Sequence, residues 1–347
     1  MALQIIRCEV VTQLLEKLLA QGRVVAPQRR EGKNQWAFAE VSNPAQVCLE
    51  YASTVLPPKQ YAFPARETLV RYELADKLRM EPVIDVSPLV VFGAHPCDIH
   101  GLNALDVTMC DTRVDPNYAA RRAQMRVVGV DCEPDEYCFC GSMNTATVGT
   151  GYDLFLTPLE GGYALEVATP TGEEMMEGLP AREATAAEVA ALKERAARKV
   201  QQERKINCGI HELPLRLEAA IESPLWTEQS QRCLSCGSCN LTCPTCFCFN
   251  VTDQMALSLH SGVREREWDG CMLEDFARVG SGENFREERE ERLRHRFYRK
   301  YSYLYARYGQ PYCCGCGRCV RQCLVHIDPV EVLNAVVNGG AQGGAAS

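Results

Sequence analysis

Residues 232–244, RCLSCGSCNLTCP, and their echo at residues 313–323, CCGCGRCVRQC, set the architecture of this chain. The first stretch places thiols at Cys233, Cys236, Cys239 and Cys243, with Pro244 behind the last; the second places them at Cys313, Cys316, Cys319 and Cys323. Both follow the ferredoxin spacing C-x2-C-x2-C-x3-C, in which three close thiolates grip three irons of a cube and the fourth reaches the neighbouring cluster. On that rule Cys233, Cys236, Cys239 and Cys323 hold one [4Fe-4S] cluster. Cys313, Cys316, Cys319 and Cys243 hold a second. Small residues at Gly237, Ser238, Gly315 and Gly317 leave room for a loop that wraps the cluster and offers N–H groups to sulfur. Leu324 stands where a proline usually follows the fourth cysteine, which changes the turn and not the ligand set. Structural zinc is the competing reading. Zinc sites usually separate their cysteine pairs by a dozen residues or more, and four cysteines within eleven residues, twice over, do not.

Between the two blocks lie 69 residues, Pro244 to Tyr312, a longer insertion than in small ferredoxins. The run Arg286 to Arg299 reads as a helix, and Asp328-Pro329 opens another. We therefore expect residues 225–338 to form an α-helical dicluster ferredoxin-like domain. Residues 339–347, rich in Gly and Ala, read as a disordered tail. The charge run Arg286 to Lys300 carries both signs and reads as a solvated helix face, with steering of a partner as the alternative. The tyrosines at 301, 303, 305, 308 and 312 lead into the second motif and are expected to shield it from water. Lys59 and Arg66 are read as surface residues, with contact to an anion or cofactor as the alternative.

Residues 1–220 read as a mixed α/β domain. Pro88 to Phe92 and Arg126 to Val130 are short apolar runs of buried-strand type, Asp98 caps a following helix, and Glu160-Gly161-Gly162 turns a hairpin. A second cysteine group follows the two buried runs. Cys97 lies just after the first, and Cys132, Cys138 and Cys140 lie after the second. Open α/β sheets build sites at the carboxyl ends of their strands, so these four thiols are expected at one edge. They are a candidate third iron–sulfur site, with His95 or His100 as a substitute ligand; ordinary buried thiols are the alternative. Cys246, Cys248 and Cys271 stay open between ligation and lining the cluster pocket, and Cys246 offers a competing register for Cys243. Cys8, Cys48, Cys110, Cys208 and Cys314 show no spacing pattern.

The chain of 347 residues has 20 cysteines and a net charge of −8, from 45 acidic against 37 basic side chains. That balance argues against nucleic acid as a partner. Charged residues interrupt the first twenty positions and the longest apolar run is near Pro88 to Ala94, so neither a signal peptide nor membrane insertion is expected. Clustered thiols in a cytoplasmic protein then point to metal. No G-x-G-x-x-G, P-loop, G-x-S-x-G or H-E-x-x-H motif occurs, so no flavin, nicotinamide or catalytic site is recognisable.

The stretches LVVFGAHPCDIHGL, VDCEPDEYCFCGSMNT, RCLSCGSCNLTCPTCFCFNV, WDGCM and CCGCGRCVRQC resemble, in this order from about Val24 to Val332, one family. It is the 4Fe-4S dicluster electron-transfer subunit family, which includes the β subunit of NAD(P)-linked nickel–iron hydrogenase, or sulfhydrogenase, and the corresponding dicluster component of anaerobic sulfite reductase. The resemblance implies an electron-transfer subunit. Its partners would be a FAD/NAD(P)-binding reductase subunit with its own Fe-S cluster, and a catalytic subunit of hydrogenase, sulfite reductase or heterodisulfide-reductase-like type. The rival is a catalytic chain with an open iron site in the N-terminal domain that reduces a small sulfur or carbon substrate.

Overall fold

The computed structural model describes residues 3–74 and 77–339. The tail expected to be disordered lies, from residue 340 on, outside the described residues. Twelve strands occur among those described: β1 Gln4–Arg7, β2 Arg23–Arg29, β3 Trp36–Glu40, β4 Arg66–Leu74, β5 Leu78–Pro82, β6 Leu89–Ala94, β7 Met125–Val130, β8 Leu154–Leu159, β9 Gly162–Val167, β10 Arg182–Glu183, β11 Phe249–Met255 and β12 Ser261–Trp268. Near-continuous Val, Leu and Phe make β6 and β7 suitable for burial on both faces, which is where central parallel strands sit.

The larger sheet has eight strands in the order β10-β1-β9-β8-β7-β6-β2-β3. Its centre, β2-β6-β7-β8, is parallel, and antiparallel strands close both margins. One face packs Phe92, Val128 and Leu154 against Leu14 and Leu18 of the helix Cys8–Gln21. The other packs Val91, Val127 and Phe155 against Leu102 and Leu105 of the helix Pro96–Met109. Helices on both faces of a mostly parallel centre make this an α/β layer, as the apolar runs require. The hairpin expected at residues 160–162 joins β8 to β9. Asp98 contributes to the start of its helix from the third position, where its carboxylate accepts from the His95 N–H at 3.3 Å.

The C-terminal region is helical in part. The helices Leu213–Ala219, Leu225–Arg232, Arg289–Tyr298 and Pro329–Gly339 surround a core of Trp226, Leu293, Phe297, Leu333 and Val336. The helix Arg289–Tyr298 runs on through a π-turn at Arg299–Tyr303. The insertion departs from the helical expectation. Its residues 249–268 form the β11–β12 hairpin, which completes a second sheet in the order β11-β12-β4-β5.

Arg266 explains why the hairpin docks there. Its side chain is 2% exposed and lies over the rings of Phe63 and Phe249, 5.0 and 5.1 Å away. Its guanidinium donates twice to Glu67, at 2.9 and 2.5 Å, and also pairs with Asp115. Arg266→Met would leave the Glu67 carboxylate, itself paired with Arg121, in a half-emptied buried network. The expected loss is about 3–5 kcal/mol, read as a lower denaturant midpoint for the holoprotein. A midpoint within about 0.5 kcal/mol of wild type would show that the hairpin is held by other contacts.

Candidate iron–sulfur centres

The two cysteine motifs fold alike. In the first, Ser235 and Gly237 take positive φ angles of 49° and 73°; in the second, Gly315 and Gly317 take 60° and 68°. Each twist turns an N–H back onto sulfur: Ser235 donates to Cys233 Sγ and Gly315 to Cys313 Sγ, both at 3.4 Å. A short helix follows each, Ser238–Leu241 and Arg318–Arg321. The Ile327 N–H adds a contact of 3.3 Å to Cys323 Sγ. Backbone N–H groups aimed at sulfur favour the thiolate, which is the form that binds iron.

Cys233, Cys236, Cys239 and Cys323, the four thiols assigned together from spacing, line one recess of about 500 Å³ of empty space, its open mouth included. Cys319 of the second motif, Arg296 and Leu293 share its wall. Cys236 is exposed, and the hydroxyl of Ser238 lowers its thiol pKa. In the other assigned set Cys243, Cys313, Cys316 and Cys319 are all half-buried, with none exposed. Cys319 is pushed up to about 12 by burial, and it feels Cys313, Cys316 and Cys243 as charged neighbours. Tyr301 donates its hydroxyl to Cys313 Sγ at 3.3 Å, so this tyrosine shields the motif as expected. Tyr312 is buried beside it, Tyr305 and Tyr308 are half-buried, and Tyr303 is exposed. Cys243 is held well below the ordinary thiol value, first by a hydrogen bond with Cys246 and then by Lys300 and Lys59.

The second cysteine group gathers at the edge predicted from the strands. Cys97 sits in the first turn of the helix after β6, and Cys132 follows β7; the two strands are parallel neighbours. Burial pushes Cys132 up to about 12, and Cys140 is among the thiols that act on it. Gln202 donates to Cys140 Sγ at 3.0 Å, and Cys138 is raised by burial and then by Cys140. His95 lies buried, stacked on Tyr51 at 3.8 Å between ring centroids, and burial holds it well below its usual pKa. His100 is engaged elsewhere, by the Thr147 carbonyl at 2.8 Å.

This group abuts the second motif. Phe139 N–H donates to the Gly315 carbonyl at 2.8 Å, and Thr145 Oγ1 to that of Cys314 at 2.7 Å. A Cβ at Gly315 would stand 2.6 Å from the Cys140 backbone, so only glycine allows the approach. A hydrogen bond from Cys97 lowers Cys316 to about 7, with Arg318 acting in the same direction. Among the described residues, no three His, Cys, Asp or Glu side chains converge on a point that a single metal ion could occupy.

Comparison with known proteins places the chain in a family. Residues 232–327 match the family described as 4Fe-4S dicluster domain. Over 333 residues, 95% of this chain and 97% of the relative, the sequence is 33% identical to sulfhydrogenase 2 subunit beta of Pyrococcus furiosus. The chain belongs to the 4Fe-4S dicluster electron-transfer subunit family. It is thus an iron–sulfur protein of electron-transfer type, related to a hydrogenase subunit.

Whether the residues suit iron–sulfur clusters is decided by charge. Arg292, Arg296 and Lys300 recur at every fourth position of the helix and its π-turn, and all three are buried. Lys300 donates to Cys243 Sγ at 3.3 Å and to Thr245 Oγ1 at 2.8 Å. Burial alone would lower its pKa, but the Cys243 and Cys246 thiols outweigh that and raise it. Arg296 lies among Cys239, Cys319 and Cys243, and its Nε has no hydrogen-bond partner. Lys59 is 2% exposed and donates to the Cys246 carbonyl at 2.8 Å. Among the described residues, none of Lys59, Arg296 and Lys300 has a carboxylate within 4.0 Å. Buried cations need anions. Here sulfur surrounds them, and a thiolate-ligated cluster carries the negative charge that they lack, so the residues fit the group. The surface reading of Lys59 and the solvated reading of residues 286–300 are therefore corrected. The sequence signal for both is the four-residue period of the cations, running beside the apolar stripe Leu293, Phe297 and Tyr301.

Proposed function

We propose that this chain relays single electrons between a FAD/NAD(P)-binding reductase subunit, which carries its own iron–sulfur cluster, and the catalytic subunit of a cytoplasmic oxidoreductase complex. The relationship to a sulfhydrogenase β subunit favours a hydrogenase or sulfhydrogenase partner; sulfite reductase and heterodisulfide-reductase-like subunits share the same chemistry. Residues 225–338 would carry two [4Fe-4S] clusters, and residues 1–220 a third on Cys97, Cys132, Cys138 and Cys140. Bound clusters supply one-electron storage and transfer.

One observation carries this reading: the three thiol sets touch in series. Cys97 lies against Cys316 of the second set, Cys138 Sγ reaches the Cys316 carbonyl at 3.9 Å, and Cys319 of that set forms part of the wall around the first. The series ends at Cys236, which is exposed between Leu234 and Leu324, both more than half exposed. The backbone N–H groups and buried cations hold the thiolates in place. Tyr301, Tyr312 and Leu293 keep water from them. In this reading the α/β domain docks the flavoprotein, and the Cys236 end faces the next carrier.

The rival, a catalytic chain in its own right, is tested on the isolated holoprotein. Supplied with reduced viologen and either sulfite or elemental sulfur, the chain is expected to take up electrons and form no sulfide beyond the protein-free rate. Sustained sulfide formation would overturn the relay.

A further inference from the structure

Outside the three thiol sets, Cys246, Cys248 and Cys271 come together at the base of the β11–β12 hairpin. β11 begins immediately after Cys248, and its first residue, Phe249, pairs with Trp268, the last of β12. The Asp269 N–H then donates to the Cys248 carbonyl at 3.1 Å, which brings the chain on either side of the hairpin together. Gly270 lies so close to Asn240 that a Cβ would stand 2.7 Å from its Oδ1. Asn240 is 2% exposed. Its Oδ1 accepts from the Met272 N–H at 3.2 Å, which turns its Nδ2 toward sulfur: Cys246 Sγ at 3.7 Å and Cys271 Sγ at 3.5 Å.

Lys59 completes the base. Its ammonium reaches the Cys246 carbonyl and stands 4.3 Å over the Trp268 ring, with no carboxylate beside it among the described residues. A buried amide thus faces two of the sulfurs, and a buried cation is fixed on the backbone of Cys246, so donors and positive charge are gathered where a thiolate-ligated anion would sit. The arrangement Cys246-x-Cys248 with a remote Cys271 also repeats that of Cys138-x-Cys140 with a remote Cys97.

We propose that Cys246, Cys248 and Cys271 bind a further iron–sulfur cluster through three thiolates. Three ligands suit a three-iron cluster, or a four-iron cluster with one iron free of cysteine. The thiol protons leave to solvent as iron binds. Asn240 and Lys59 act as positioning residues, holding the sulfurs and balancing their charge. Cys246 touches Cys243 of the second set, so the site borders that cluster, but it uses none of the ligands assigned to the relay.

The test is Cys248→Ser combined with Cys271→Ser in the full-length holoprotein. Iron per chain is expected to fall by about three or four, while the reduced-state EPR signals of the two ferredoxin-motif clusters persist. EPR separates the two forms: a signal lost from the oxidised protein marks a three-iron cluster, and one lost from the reduced protein a four-iron cluster. Unchanged iron in a folded variant, or loss of a single ion, would overturn the proposal. Should the double variant not fold, Lys59→Gln, which removes no thiol, decides in its place. Lys59 also acts on Cys243, so the cluster of the second motif should shift as well; the proposal expects in addition one centre outside the ferredoxin pair to become harder to reduce, about tenfold in the reduced fraction at a fixed potential, or about 59 mV. A redox titration identical to wild type, or a shift confined to the ferredoxin pair, would then overturn the proposal. The Cys138 and Cys140 thiols are intact in these variants, so failure here is distinct from failure of the third site in the relay.

Discussion

Anaerobic removal of iron is expected to unfold the region of residues 232–327, the helix Arg289–Tyr298 included, while the eight-stranded sheet survives. Lys59, Arg296 and Lys300 are buried among thiols, and among the described residues no carboxylate pairs with any of them. With sulfur anions present, each is a satisfied ion. Without them, each becomes an uncompensated buried charge that costs about 3–5 kcal/mol. Three such penalties rival the whole stability of an ordinary domain, about 5–15 kcal/mol. The cluster region's core, around Trp226, Phe297 and Tyr301, packs directly against these motifs, and its loops take left-handed turns to wrap the cysteines, so it does not stand apart from the penalty. The sheet has a core of its own, including Leu14, Phe92, Val128 and Leu154, in which none of these cations takes part. Hydrogen exchange before and after chelation would show protection lost in residues 232–327 and kept in β6, β7 and β8. Equal protection in both states would mean that the cations find other partners.

Combining Cys138→Ser with Cys140→Ser has the second large effect. These thiols, with Cys97 and Cys132, form the set nearest the α/β domain, against which the second motif packs through Gly315. Their loss should lower iron by about four per chain and leave the ferredoxin-motif signals in place. In the assembled complex, electron uptake from the reduced nicotinamide should fall to background, while artificial donors that reach Cys236 directly still reduce the remaining clusters. That split separates a broken relay from a misfolded chain. Unaltered iron would leave these four residues as structural thiols.

The legible parts of this molecule are those in which chemistry is local in sequence. Ligand spacing reveals both ferredoxin runs, and spacing alone groups the four thiols around the recess. The central strands β6 and β7 are legible because a strand buried on both faces needs an unbroken apolar run. Cys97 and Cys132 can be brought to one edge because successive parallel strands end on the same side.

The rest depends on partners distant in the chain. The β11–β12 hairpin reads poorly as strand because its burial comes from Glu67 and Asp115, with Glu67 lying 199 residues from Arg266. Lys59, Arg296 and Lys300 look like surface residues until their counter-charge is known, and that counter-charge is sulfur placed by the tertiary fold. Cys271 has no close cysteine in sequence to signal it, and only closure of the hairpin brings it to Cys248.

The relay stands on its third thiol set, and iron with acid-labile sulfide per chain, measured on anaerobically purified protein with EPR of the reduced state, tests it most directly. The account predicts at least about twelve irons, with reduced-state signals broadened by neighbouring spins. About eight irons, and signals from the two ferredoxin-motif clusters alone, would contradict it.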